Sequence, residues 1–181
     1  MGTASFIPLD IRYIFNVMDK TAEKAWFACG CFWGAEYHFS KAKGVIETTV
    51  GFMGGRIENP TYRDVCTGKT GHLETAEVAF DPKQTSYKEL VRLFFEIHDF
   101  TQTDGQGPDI GEQYLSAIFY ADNNQKVIAQ QQIAILTSKG YKVATAMRPA
   151  AAFWKAEEYH QDYYEHKGSE PYCHISRRIF D

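Results

Sequence analysis

A chain of 181 residues, 44% hydrophobic and 15% aromatic, is long enough to bury one substantial core and short for two. Its formal net charge of −4, without a basic run, removes the electrostatic basis for binding nucleic acid or an anionic membrane, and no segment reaches the length of a membrane span. Small molecules and proteins are the partners left.

Residues 1–20 are partly apolar between Phe6 and Met18 but carry Asp10 and Arg12, with no cleavage pattern after a basic start. Phe6 stands where a myristoylation pattern needs Ser or Thr. The expectation is an amino-terminal arm over 1–23, a single catalytic domain over 24–181 ending in a mobile tail, and a cytoplasmic location. In such a reducing compartment Cys29, Cys31, Cys66 and Cys173 read as reactive or buried thiols, and their spacing lacks the paired Cys-x-x-Cys units of a zinc site.

Residues 24–28 form a short apolar run that predicts a buried strand. Gly30-Cys31-Phe32-Trp33-Gly34 follows, opening a helix to about Ser40 whose stripe is Phe32, Ala35 and Phe39. A helix N-terminus presents unpaired N–H groups and a partial positive charge, which favour thiolate over thiol and so suit a nucleophile. Buried cysteine is also ordinary, so these residues alone leave Cys31 as nucleophile or core thiol, and Phe32 and Trp33 as core.

Residues 45–52 read as a β-branched strand ending before Gly54-Gly55, residues 62–68 as one helical turn, and residues 74–80 as a strand that Gly71-His72-Leu73 enters. Glu74 at that entrance is a surface strand-edge carboxylate on the plain reading. Ser86 and Glu89 form a capping box before the stripe Leu90, Leu93, Phe94 and Ile97, with His98 a capping or surface residue at the end. The polar loop 100–113 is long enough to suggest function. A strand over 116–120, a helix over 123–139 stopped by Gly140, a strand over 143–147 and a helix over 153–164 complete the pattern. That order predicts an α+β fold, a two-layer sandwich with helices packed on a mixed, ferredoxin-like sheet.

Several motifs now stand in one order: Gly30-Cys31-Phe32-Trp33-Gly34, Tyr62 before Cys66-Thr67-Gly68, Gly71-His72-Leu73-Glu74, Gln113-Tyr114 after Asp109, and Pro171-Tyr172-Cys173. Together, over roughly residues 24–174, they resemble the A-type peptide methionine sulfoxide reductases. The resemblance implies that Cys31 attacks the sulfur of methionine S-sulfoxide, that Glu74 donates to its oxygen while Tyr62 and Tyr114 stabilise it, and that Phe32 and Trp33 receive the S-methyl group. It implies a substrate-binding role for Asp109, and Cys173 as the thiol that condenses with the resulting sulfenic acid. It further implies no bound cofactor, with thioredoxin or another dithiol as reductant, and substrates that are oxidised proteins or free methionine sulfoxide. Pro108-Asp109 and Tyr114-Leu115 depart from the family's usual loop, which has Asn-Asp before the glycine and Arg after the tyrosine.

Other readings remain open from the residues. Cys29 is an alternative resolving thiol, although a Cys-x-Cys disulfide is strained. Cys66 reads as structural, and His38, His166 and His174 have no role. Cys31 with a histidine base such as His160 would suit a cysteine hydrolase or acyl-transfer enzyme, and Phe32 with Trp33 would suit a non-catalytic methionine-peptide binding module.

Overall fold

Alternation in the first apolar run makes it the centre of the sheet. In a computed structural model that describes residues 22–172, 174 and 176–180, this run is β1 (Glu23–Cys29). Ala25, Phe27 and Cys29 face a helical layer, while Trp26 and Ala28 face the other side. The phenyl ring of Phe27 stacks on Phe39 at 4.9 Å and on Phe94 at 5.4 Å.

The remaining strands are β2 (Val45–Met53), β3 (Leu73–Phe80), β4 (Gly105–Gln106), β5 (Asp109–Ile110), β6 (Ser116–Tyr120), β7 (Ala146–Pro149) and β8 (Trp154–Lys155). The main sheet runs β7-β6-β1-β3-β2-β8 and is mixed, because β6 and β7 pair in parallel while its other pairs are antiparallel. The helices are α1 (Phe32–Ser40), α2 (Tyr62–Val65), α3 (Tyr87–Glu96), α4 (Asn123–Ser138) and α5 (Tyr163–Lys167). Apolar residues of α1, α3 and α4 cover one face of the sheet; Ala150, Phe153 and Leu115 pack on the other. This is the two-layer α+β arrangement with helices on a mixed sheet. Among the described residues no helix is long and apolar enough to cross a membrane.

The capping box of α3 forms as the sequence predicts, with Ser86 and Glu89 each bonding the other's backbone N–H. Three expectations are corrected. The helix predicted over 153–164 is replaced by β8, a 3-10 turn at Glu158–His160, and α5. Trp154 pairs with Phe52 at the sheet edge, the Gln161 side chain bonds both Val50 N (2.9 Å) and Val50 O (3.0 Å), and Asp162 takes a left-handed φ of 52°. Those long-range bonds outweigh local helical preference. The loop 100–113 contains the β4–β5 hairpin and a 3-10 turn at Glu112–Tyr114.

His98 is buried and not on the surface. Its Nδ1–H donates to Phe94 O at 2.6 Å and its Nε2 accepts from the Ser116 hydroxyl at 2.8 Å, because a carbonyl can only accept. Burial pushes its pKa down to about 3, so it stays neutral. Residues 1–21 of the predicted amino-terminal arm and Cys173 lie outside the described residues, and Glu23, the arm's last residue, already belongs to β1.

Phe27 is fully buried at the middle of this core. Replacing Phe27 with Ala should cost about 3–5 kcal/mol in a urea unfolding experiment. A loss under about 1 kcal/mol would contradict its central place.

Candidate active site

The chain leaves β1 and turns at Gly30, whose φ of +94° lies in the left-handed region. A Cβ there would come within 2.4 Å of the Gln106 Cβ, so glycine is required both by the turn and by the hairpin packed over it. Cys31 is the N-cap of α1, and its carbonyl accepts the Gly34 N–H at 3.1 Å. Its half-buried side chain thus stands at the positive end of a nine-residue helix. Cys29 instead points into the core, fully buried, and burial together with the neighbouring Cys31 pushes its thiol pKa far up.

Glu74 is delivered to the same point by β3. The strand's entrance is fixed by His72, whose Nδ1 accepts the Gly55 N–H at 3.1 Å while Nε2–H donates to Ile57 O at 2.8 Å. Glu74 is 2% exposed, not a surface carboxylate, and its Oε2 accepts the Phe32 N–H at 3.0 Å. Burial and then the nearby Cys31 hold its pKa well above the ordinary value; the Phe32 N–H opposes them with a smaller effect, and Asp109 adds a still smaller rise. The carboxyl therefore keeps a proton where an exposed glutamate would lose it.

Tyr62 opens α2, whose capping box pairs Thr61 with Asp64, and its N–H donates to Glu157 Oε1 at 3.1 Å. Tyr114 ends the 3-10 turn after the β4–β5 hairpin. Burial, with Glu74 close by, raises the pKa of both phenols, and a hydrogen bond with Cys66 adds to the shift at Tyr62. Both hydroxyls stay protonated as donors. Cys66 is exposed, and its thiol is hydrogen-bonded with Tyr62.

Phe32 is buried, with ring neighbours Phe52 at 5.8 Å, Tyr62 at 6.4 Å and His160 at 5.2 Å. Trp33 stacks on Tyr163 at 3.8 Å and donates its Nε1–H to His160 Nδ1 at 3.1 Å. The indole can only donate, so the His160 hydrogen sits on Nε2, which faces Glu157 Oε2 at 3.9 Å. From the sequence His160 is a candidate only as the base of a hydrolase. Its partner Trp33 is 127 positions away, and no local spacing could reveal the pair. Asp109 Oδ1 accepts from the Tyr172 hydroxyl at 3.5 Å, which brings the tail beside the predicted binding loop.

Chemically, these groups set a thiol at a helix N-terminus beside a buried carboxyl of raised pKa and two phenol donors. Such a set can attack a soft electrophile while protonating an oxygen attached to it.

Because the folded state holds the Glu74 proton more tightly than the unfolded chain, its stabilising contribution is full below the ordinary glutamate pKa of about 4.3 and is lost as pH rises toward the folded value. Glu74→Gln, neutral throughout, should gain stability relative to the parent between about pH 4 and about pH 8 in urea unfolding. A difference that does not change with pH would show that Glu74 is not held protonated.

A family model described as peptide methionine sulfoxide reductase matches residues 23–180. The peptide methionine sulfoxide reductase MsrA of Methanothermobacter thermautotrophicus is 49% identical over 160 residues, covering 87% of this chain and 94% of that protein. The MsrA of Acidobacterium capsulatum is 47% identical, covering 84% and 99%. Among solved structures, reduced Mxr1 from Saccharomyces cerevisiae aligns with a TM-score of 0.81 at 33% identity, covering 87% of this chain and 93% of that one. Mxr1 in complex with Trx2 aligns with a TM-score of 0.59 at 25% identity, covering 87% and 91%. The match spans Cys31, Tyr62, Glu74 and Tyr114, and the chain belongs to the peptide methionine sulfoxide reductase family.

Proposed function

We propose that the protein reduces methionine S-sulfoxide, free and in proteins, with Cys31 as the nucleophile. The observation that carries the assignment of roles is the buried Glu74 carboxyl beside Cys31, its pKa raised by burial and its Oε2 bonded to the first amide of α1. A sulfoxide sulfur is a poor electrophile until its oxygen is protonated or strongly hydrogen-bonded. Glu74 supplies that proton, and Tyr62 and Tyr114 donate to the same oxygen. Cys31 attacks the sulfur, the oxygen passes to Cys31 as a sulfenic acid, and methionine leaves. Phe32 and Trp33 receive the S-methyl group, where burial and sulfur–aromatic contact both favour it. Asp109 binds polar parts of the substrate from the hairpin loop.

Cys173 then condenses with the sulfenic acid, giving a disulfide and water, and thioredoxin reduces the disulfide. Two observations support this choice: the neighbours of Cys173 on both sides reach the site, and Cys29 is buried with its thiolate disfavoured. Mxr1 bound to Trx2 supports thioredoxin as the reductant. Cytoplasmic residence belongs to the same reading, because the cycle needs a reducing supply of thiols. The hydrolase alternative loses its base: His160 Nδ1 is occupied by Trp33, and its other nitrogen faces Glu157.

Cys31→Ser should abolish methionine formation in a thioredoxin-coupled assay on separated sulfoxide epimers, and retained turnover would refute the nucleophile. Glu74→Gln should lower the rate of the first turnover by about 10² or more, the usual size of a general-acid contribution. A rate within about threefold of the parent would remove Glu74 from that role. Cys173→Ser should still release about one methionine per enzyme but stop recycling, and an unchanged steady-state rate would assign resolution elsewhere.

A further inference from the structure

His174 is a buried titratable residue that the proposed chemistry does not use; it is 4% exposed. Its Nε2 lies 2.8 Å from Cys29 O, which can only accept, so the hydrogen sits on Nε2. Its ring fills a notch left by Gly34: a Cβ on Gly34 would come within 2.2 Å of Nδ1. His38, one turn further along α1, bonds the His174 backbone, and the two rings are 6.2 Å apart. Burial pushes the His174 pKa down to about 4 and lowers that of His38, so neither charge opposes docking near neutral pH.

The following residues are also held. Arg177 N–H donates to Glu96 O at 2.7 Å, Ile179 N–H donates to Glu96 Oε1 at 3.0 Å, and Phe180 packs against Phe95. Among the described tail residues, His174 grips the Cys29-Gly30-Cys31 turn directly.

We propose that His174 is a positioning residue for the second half of the reaction: seated on Cys29 O and in the Gly34 notch, it ties the tail to the loop that carries the nucleophile. The inference rests on Cys173 as the resolving thiol. Consecutive Cα atoms are about 3.8 Å apart, so an anchor at 174 limits how far the thiol at 173 must search and raises its effective concentration at Cys31. In the step itself, the Cys173 sulfur loses its proton and attacks the Cys31 sulfur. The S–O bond of the sulfenic acid breaks, the oxygen leaves as water, and the two cysteines become one disulfide. The same notch explains the second glycine of the Gly-Cys-Phe-Trp-Gly motif in this chain, since alanine at 34 would exclude the ring.

The test follows one turnover of the full, reduced chain with methionine S-sulfoxide and no reductant, measuring released methionine, the Cys31–Cys173 disulfide and the dimedone adduct of Cys31 by mass spectrometry. His174→Ala and Gly34→Ala should each slow disulfide formation by about tenfold or more relative to methionine release, with a matching rise in dimedone adduct. His174→Gln, whose side-chain amide can donate to Cys29 O, should recover much of the rate. Disulfide formation at the parent rate in His174→Ala overturns the anchor, as does an equal slowing of both steps, which marks a merely structural role. Cys173→Ser run alongside separates the two readings: if the same disulfide mass persists there, the resolving assignment fails; if it vanishes while His174→Ala behaves as the parent, only the anchor fails.

Discussion

The hydrogen bond from Phe32 N–H to Glu74 Oε2, 3.0 Å long and buried, is the contact on which the rest of the site depends. It joins the first amide of α1 to the entrance of β3, and so brings the sulfur of one element beside the carboxyl of another. Two acidic groups placed this close and shielded from water cannot both carry charge at ordinary cost. The helix N-terminus favours charge on the sulfur, whereas burial opposes it on Glu74. A nucleophilic sulfur beside a carboxyl that holds its proton suits the proposed reduction, because one end of the S–O bond is attacked while the other is protonated.

Several glycines make that geometry possible through close approach. Gly30 admits Gln106 from the hairpin, Gly55 admits the His72 ring, and Gly34 admits His174 from the tail. Each contact ties a different stretch of chain to the nucleophile or the acid. The hairpin also carries Asp109, and Tyr114 follows it, so the same packing that shapes the Gly30 turn sets the polar wall of the site.

Legibility in the sequence followed the range of the interactions. The strand over 116–120 and the capping box before α3 were readable because alternation and an i, i+3 exchange are written locally. The segment over 153–164 was misread as helix because its structure is decided by partners more than a hundred positions away, Val50 and Phe52. The histidines failed in the same way: His98 is fixed by Ser116, His160 by Trp33 and His174 by Cys29. Motif order placed Cys31, Glu74, Tyr62 and Tyr114 together, but the burial that keeps Glu74 protonated is a property of the assembled pocket. The turn position of Cys66 likewise gives no sign that its thiol would bond Tyr62.

The central claim concerns one proton. Infrared difference spectroscopy of the parent against Glu74→Gln, recorded at neutral pH with the cysteines reduced, reads the carboxyl directly through its C=O stretch. A protonated-carboxyl band at neutral pH that is absent in Glu74→Gln is the expected result; a carboxylate signal from Glu74 in its place would contradict its role as the acid.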